Sequence, residues 1–194
     1  YILLEVSSEG LLENNKGVHL QNRRIKLNYL TEKDFKAIEI AKKYKVKNFA
    51  LSFTNSSEDV KKFGLILKYE NKIYKIETKE AVQNIHKIAK AGNIFLIDRG
   101  DLSKETSVEK IPSIQRKIFK IIKKFKNKEI YVATNLLESM IYNKYPTRGE
   151  ANDIYSSLEM GASGLVLAAE TAIGKYPQEA VKFLKNMIYT YLNE

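Results

Sequence analysis

Five short and almost wholly apolar segments alternate with longer amphipathic segments from residue 31 to the end of the chain. In the amphipathic segments the apolar residues recur at the spacing of one helix face. Short apolar strands that alternate with such helices are typical of a parallel sheet covered by helices. The pattern therefore predicts an α/β fold, either a doubly wound sheet or part of a (β/α)8 barrel. The predicted strands are residues 46–53, 72–77, 94–98, 129–134 and 164–170.

The predicted helices carry start and stop signals. Thr31 with Asp34 is a candidate cap pair, the T-x-x-E motif at 147–150 is a capping box, and Gly92 is a C-terminal stop. Residues 1–22 do not join the alternation, and their turn-rich pattern favours short antiparallel strands. The predicted helices are residues 31–45, 56–68, 79–92, 147–161 and 177–192, with a long helix in 108–126 that begins near Pro112.

Composition excludes several kinds of site. The 194 residues include no cysteine, which excludes disulfide scaffolds, thiolate zinc sites and a cysteine nucleophile. With only two histidines, His19 and His86, a histidine-rich metal site is not expected. The net charge is +10, but only five of the 33 basic residues are arginine, and the aromatic-basic pattern of RNA-binding modules is absent. We therefore expect a solvated lysine-rich surface, with neither a nucleic-acid interface nor a membrane span.

Polar side chains follow the predicted strands at the point where each strand ends. Lys75 and Glu77 close the second strand on one face, Gly100 and Asp101 follow the third, and Thr134 ends the fourth. In parallel β/α folds, ligands bind at the carboxyl ends of the strands. Two carboxylates there can hold Mg²⁺, and a nearby lysine can neutralise charge on a transferred group. Glu170 and Thr171 end the fifth predicted strand in the same way.

Each of these residues also has a plainer interpretation. Lys75 and Glu77 could form a surface ion pair, and Asp101 could cap a short helix. Thr134 could be there because threonine is favoured in strands. Their shared position at one end of consecutive strands favours a common site.

Several motifs resemble, in order and spacing, the signatures of the pyruvate kinase family. The resemblance covers essentially the whole chain. The matching segments are GVHL (17–20), LTEKDFKAIEIAKKYKVKNFALSF (30–53), KIETKEAVQNIHKI (75–88), IDRGDLSKE (97–105), ATNLLESMI (133–141), PTRGEANDI (146–154) and VLAAETAIGKYPQEAV (166–181).

The resemblance implies a cytoplasmic, glycolytic (β/α)8-barrel phosphotransferase. Such an enzyme moves the phosphoryl group of phosphoenolpyruvate to ADP, giving pyruvate and ATP, and uses Mg²⁺ and K⁺. Glu77 and Asp101 match the Mg²⁺ carboxylates, and Lys75 matches the lysine that stabilises the transferring group. The amides of Gly100 and Asp101, with Thr134, match the groups that hold the substrate carboxylate. Thr134 also matches the position near which the enolate is protonated.

Against that family the chain corresponds to part of a barrel. The five predicted strands match the fourth to eighth of eight, so residues 23–194 would be a partial catalytic barrel and residues 1–22 a remnant of the inserted β lid domain. The first three strands and the K⁺ ligands match nothing in this sequence. Five strands cannot close such a barrel, and open strand edges are a liability. We therefore expect a fragment, a subunit completed by a companion segment, or an oligomer.

Other interpretations stay open. Asn135, Ala168 and Ala169 depart from the family motifs, and Asp98 stands where an alanine usually precedes RGD. These changes favour, as an alternative, a degenerate homologue that serves as a non-catalytic binding or structural subunit. A lyase or aldolase acting on pyruvate-like acids is a weaker hypothesis, and nucleic-acid binding is the weakest.

Overall fold

A sheet of five parallel strands organises the part of the chain that the structure describes. The architecture is that of a computed structural model, which describes residues 3–11, 14, 18 and 28–194. The strands are β1 (Asn48–Leu51), β2 (Asn71–Ile76), β3 (Ile94–Asp98), β4 (Glu129–Ala133) and β5 (Gly164–Val166). Their spatial order follows the chain, and all four pairings are parallel. Because a doubly wound sheet reverses its strand order, this sequential order is that of a partial (β/α)8 barrel.

Helices connect consecutive strands. Three of them begin with a complete capping box: Thr31 with Asp34, Ser56 with Asp59, and Thr147 with Glu150. Two 3₁₀ turns accompany them, Val108–Lys110 and Glu138–Ile141. The helices are α1 (Glu32–Lys43), α2 (Ser57–Ile66), α3 (Lys79–Gln83), α4 (Ile85–Ala91), α5 (Arg99–Glu105), α6 (Ile111–Ile122), α7 (Arg148–Glu159), α8 (Ala169–Ala172) and α9 (Pro177–Leu192).

Two sequence predictions about these elements are wrong in detail. The helix predicted over 79–92 is broken at Asn84, whose side-chain amide donates to the backbone carbonyl of Asn55, 2.8 Å away. The strand predicted over 164–170 ends at Val166 because the chain turns into α8. There the Glu170 carboxylate accepts hydrogen bonds from the backbone N–H groups of Leu137 and Ala168. Glu170 is therefore not a strand residue.

The two faces of the sheet differ in burial. Alternate strand residues such as Ile76, Phe95 and Val132 are buried in the core formed with the helices. On the other face, the residues in the middle of β2 to β4, such as Lys75, Leu96 and Tyr131, are only half-buried. Parallel sheets of this class are covered on both faces. The half-buried face is thus the one that a closed barrel would enclose, and it carries the polar strand ends.

The described residues near the N-terminus are exposed. Residues 3–11 contain neither a helix nor a strand, so the prediction of short antiparallel strands is wrong for that stretch. His19 and most of the GVHL motif lie outside the described residues, and the assignment of residues 1–22 to a lid remnant stays a prediction. Within the described ranges, no helix is both long and apolar enough to cross a membrane.

Candidate active site

The carboxyl ends of three neighbouring strands bring the polar residues together. Lys75 lies on β2, Glu77 directly follows that strand, Asp98 is the last residue of β3, and Thr134 follows β4. Lys75 is in register with Leu96, and the register of β3 with β4 pairs Asp98 with Ala133. Because the strands are parallel, these side chains meet at one edge of the sheet, as the sequence predicted.

Lys75 forms ion pairs with carboxylates from two strands. Its Nζ lies 2.9 Å from Oε2 of Glu77 and 2.9 Å from Oδ2 of Asp98. Glu77 is 1% exposed and Asp98 is 8% exposed. The second Glu77 oxygen, Oε1, accepts a hydrogen bond of 2.6 Å from the backbone N–H of Phe53, which follows β1. The ion pairs are therefore buried and held from β1, β2 and β3.

Burial and charge act in opposite directions on this cluster. Burial raises the pKa of the Glu77 carboxyl, and the Lys75 ammonium and the Phe53 N–H only partly offset that effect. Burial alone would lower the pKa of Lys75, but its ion pairs with Glu77 and Asp98 outweigh that effect and raise the pKa. Lys75 is thus a cation at neutral pH, facing an excess of negative charge.

A third carboxylate completes a cluster suited to a hard cation. One oxygen each from Glu77, Asp98 and Asp101 lies within 4.8 Å of the others. Oε2 of Glu77 is buried and accepts no directed hydrogen bond from the described part of the chain, so its contact with Lys75 is a charge contact only. Asp101 Oδ1 pairs with Lys104, which is exposed to solvent. An all-carboxylate donor set fits Mg²⁺ or a similar divalent cation.

Thr134 occupies a strained position beside this cluster. Its φ is +69°, and that of Asn135 is +53°, a left-handed conformation that residues other than glycine rarely adopt. The Gly100 N–H donates a hydrogen bond of 2.7 Å to Thr134 Oγ1. The Thr134 hydroxyl in turn donates to Asp98 Oδ1, 3.3 Å away. A Cβ on Gly100 would lie 3.3 Å from Oγ1, so a glycine permits this close approach.

Arg99 stabilises the turn at Thr134 and Asn135 through hydrogen bonds to its backbone. Its guanidinium donates two hydrogen bonds to the Thr134 carbonyl, at 3.1 and 2.6 Å, and one to Asp153 on α7 at 2.5 Å. Arg99 is 8% exposed. The first residue of α5 therefore fixes the backbone that presents the Thr134 hydroxyl.

The structure brings together every site residue named from the sequence: Lys75, Glu77, Gly100, Asp101 and Thr134. Glu170, which the sequence placed at the end of the fifth strand, is buried and accepts hydrogen bonds from the backbone N–H groups of Leu137 and Ala168. Thr171 Oγ1 donates to the Ala168 carbonyl.

Three contributors were missed or undervalued by sequence reasoning. Asp98 was noted only as an added negative charge, and Arg99 and Lys104 were not assigned a role. The helix at 99–105 is capped by Asp98 and not by Asp101. A signal was available for Asp98: an apolar strand that ends in a carboxylate points that carboxylate to the edge where ligands bind.

A family model described as pyruvate kinase, barrel domain, matches residues 1–181 of this chain. The chain belongs to the pyruvate kinase family. The five sequential parallel strands agree with part of that family's barrel.

Curated pyruvate kinases match over nearly all of the chain. The enzyme of Methanocaldococcus jannaschii is 39% identical over 190 residues, which are 96% of this chain and 42% of that protein. That of Thermotoga maritima is 37% identical over 182 residues, 92% of this chain and 39% of that protein. That of Borreliella burgdorferi is 37% identical over 191 residues, which are 96% of this chain and 40% of that protein. The chain thus spans about two fifths of the length of these pyruvate kinases.

Proposed function

We propose that this chain carries the cation and substrate site of a pyruvate-kinase-type phosphotransferase. The reaction is phosphoenolpyruvate plus ADP and a proton giving pyruvate and ATP. The observation that supports this most strongly is the convergence of Lys75, Glu77, Asp101 and Thr134 at the carboxyl ends of β2, β3 and β4. These residues lie within the part of the chain that the family model matches, and the resemblance of their motifs implies the roles given below.

Glu77 and Asp101 are the residues that would hold Mg²⁺. Their oxygens belong to a compact carboxylate cluster, and Glu77 has a buried oxygen that accepts no directed hydrogen bond from the described residues. A bound cation supplies neutralisation of the charge on the phosphoryl and enolate oxygens. The K⁺ expected from the family would be held by residues outside this chain.

Lys75 stabilises the phosphoryl group during transfer. The ammonium lies at the carboxylate cluster and keeps its proton, because both neighbouring carboxylates raise its pKa. A positive charge at that point is worth more than in water because the flanking carboxylates are buried.

Gly100, Asp101 and Thr134 bind the carboxylate of the substrate. At present the Gly100 N–H donates to Thr134 Oγ1, and the Asp101 N–H donates to Asp98 over a long 3.4 Å. A substrate carboxylate would take over as acceptor for these amides. The freed Thr134 hydroxyl would then lie near the enolate carbon that receives the proton.

The active unit requires further polypeptide. One sheet face is half-buried, and no other described strand pairs with the outer edges of β1 and β5. Both features fit a barrel completed by a companion segment, in the same protein or in an oligomer. Phosphoenolpyruvate, pyruvate, ADP and ATP are the proposed ligands. A cytoplasmic, glycolytic setting follows from this function.

The test is phosphoenolpyruvate-dependent ATP formation with Mg²⁺ and K⁺, using the full natural protein that carries this chain. Lys75→Met is expected to lower kcat at least 100-fold, since a charge aimed at the transferring group is removed. Lys62→Met is the matched control, because Lys62 is an exposed lysine of α2 paired with Glu58. Wild-type turnover no higher than that of Lys75→Met would contradict the proposal.

A second candidate is a non-catalytic binding or structural subunit. It is favoured by the closed state of the site, in which Lys75 is paired twice and the Gly100 amide is bonded to Thr134. Purification from the native source separates the two hypotheses. A stoichiometric companion together with wild-type turnover equal to that of Lys75→Met would favour the subunit, whereas turnover that depends on Lys75 would exclude it.

A further inference from the structure

Asp98 contacts both Lys75, proposed to stabilise the phosphoryl group, and Thr134, proposed to lie near the protonated carbon. Its Oδ2 lies 2.9 Å from Nζ of Lys75, which comes from β2. Its Oδ1 lies 3.3 Å from Oγ1 of Thr134, which follows β4. Asp98 itself ends β3, between those two strands. One carboxylate therefore links the lysine and the threonine across three adjacent strands.

Helix capping alone does not account for this residue. The cap bond from the Asp101 N–H to Asp98 Oδ1 is 3.4 Å long, whereas the contact with Lys75 is 2.9 Å. Serine or asparagine caps a helix about as well as aspartate does. A carboxylate that is 8% exposed carries a desolvation cost that only a charged partner offsets.

We infer that Asp98 is a positioning residue that fixes the Lys75 ammonium and the Thr134 hydroxyl relative to each other. The inference rests on the proposed function for its effect on turnover, but its structural part does not. Lysine has a flexible stem of four carbons, and a single ion pair leaves it several arrangements. Two carboxylates, one from β2 and one from β3, hold the ammonium at a defined point.

The ion pair between Asp98 and Lys75 matters most when Glu77 also binds a cation. If Glu77 is a cation ligand, its charge is shared, and Asp98 remains the carboxylate that retains Lys75 at the strand ends. On the other side, Asp98 and the Ala133 carbonyl are alternative acceptors for the single Thr134 hydroxyl proton. The Ala133 carbonyl is the nearer acceptor at 2.6 Å, and Asp98, at 3.3 Å, is the acceptor that also contacts Lys75.

Three variants separate positioning from capping. Asp98→Asn is nearly isosteric and keeps an acceptor for the cap and for Thr134, but removes the charge that holds Lys75. Asp98→Ala removes all three interactions. Asp153→Asn is the matched control, because Asp153 forms its ion pair with Arg99, the residue that follows Asp98, whereas Lys75 pairs with Glu77 and Asp98.

The first measurement needs no substrate. Nitrogen-15 NMR of the lysine ammonium groups, with Lys75 assigned from its loss in Lys75→Met, reports how fast the ammonium hydrogens exchange with water. We expect exchange at Lys75 to accelerate at least tenfold in Asp98→Asn and Asp98→Ala, and to stay within twofold of wild type in Asp153→Asn. Exchange within twofold of wild type in Asp98→Asn would overturn the inference, whether or not the protein has kinase activity.

The second measurement is kinetic. With the full natural protein, Asp98→Asn is expected to lower kcat about 10- to 100-fold, the cost of slightly misplaced catalytic groups, while KM for phosphoenolpyruvate changes less than threefold. Accelerated exchange with kcat within threefold of wild type would also overturn the inference. If wild type and Lys75→Met are equally inactive, the proposed function fails, and the exchange measurement alone decides whether Asp98 fixes Lys75.

Discussion

Replacing Arg99 with methionine tests how the turn that presents Thr134 is held. The guanidinium donates two hydrogen bonds to the Thr134 carbonyl, together worth about 3 kcal/mol. Its pair with Asp153, whose side chain is 37% exposed, adds at most about 1 kcal/mol. Relaxation of the left-handed Thr134 returns about 1 kcal/mol. We therefore expect Arg99→Met to lower the free energy of unfolding by about 3 kcal/mol.

Urea unfolding followed by circular dichroism measures this difference, and Asp153→Asn isolates the part due to the ion pair. The control is expected to lower the free energy of unfolding by no more than about 1 kcal/mol. In the methionine variant, the NMR signal of the Thr134 methyl group should also move, because the turn loses its anchor. Equal destabilisation in the two variants would refute the argument that Arg99 supports the Thr134 carbonyl.

Substitutions at three further positions test hydrogen bonds and packing in and around the strand ends. The Glu150 carboxylate accepts four hydrogen bonds, which outweigh the effect of burial and lower its pKa. The ionised carboxylate therefore stabilises the folded protein above about pH 4.5, and this contribution is lost as the pH falls through the lowered pKa. Glu150→Gln should therefore cost about 2 kcal/mol at pH 7, a difference in thermal unfolding that shrinks below pH 4.5; a difference that does not depend on pH would contradict this. Gly100→Ala should push Thr134 away by a few tenths of an ångström, with little loss of stability. The NMR signal of the Thr134 methyl group should shift as a result. An unshifted signal would show that the close approach of Gly100 to Thr134 is unimportant. Glu170→Ala should lower the free energy of unfolding in urea by about 3 kcal/mol, because the buried Leu137 N–H loses its acceptor. Glu170→Gln keeps an acceptor oxygen and should lower it less. Equal losses in the two variants would argue against the importance of that hydrogen bond.

Much of the fold follows from the sequence because its local and periodic signals agree. The five apolar segments became the five strands, and the cap pair of Thr31 with Asp34 forms as expected. Helix ends were less predictable where a distant partner decides them. The break at Asn84 depends on a carbonyl 29 residues away, which no local pattern encodes.

The candidate site was predictable as a set but not in its internal connections. Parallel strands place their carboxyl ends together, so Lys75, Glu77 and Thr134 had to approach one another. The double pairing of Lys75 depends on the register between β2 and β3, which tertiary packing sets. The bonds from Arg99 to the Thr134 carbonyl depend on a left-handed turn at two residues that are not glycine, for which the sequence carries no signal.

The most direct test of a cation site at these strand ends is a Mn²⁺ titration of the chain followed by electron paramagnetic resonance. Glu77→Gln keeps Oε1 as the acceptor for the Phe53 N–H while removing the charge, and Glu58→Gln is an exposed control on α2. We predict that Glu77→Gln weakens Mn²⁺ binding at least tenfold and that Glu58→Gln leaves it unchanged. A wild-type chain that binds no Mn²⁺, or a Glu77→Gln variant that binds it as tightly as wild type, would contradict the assignment.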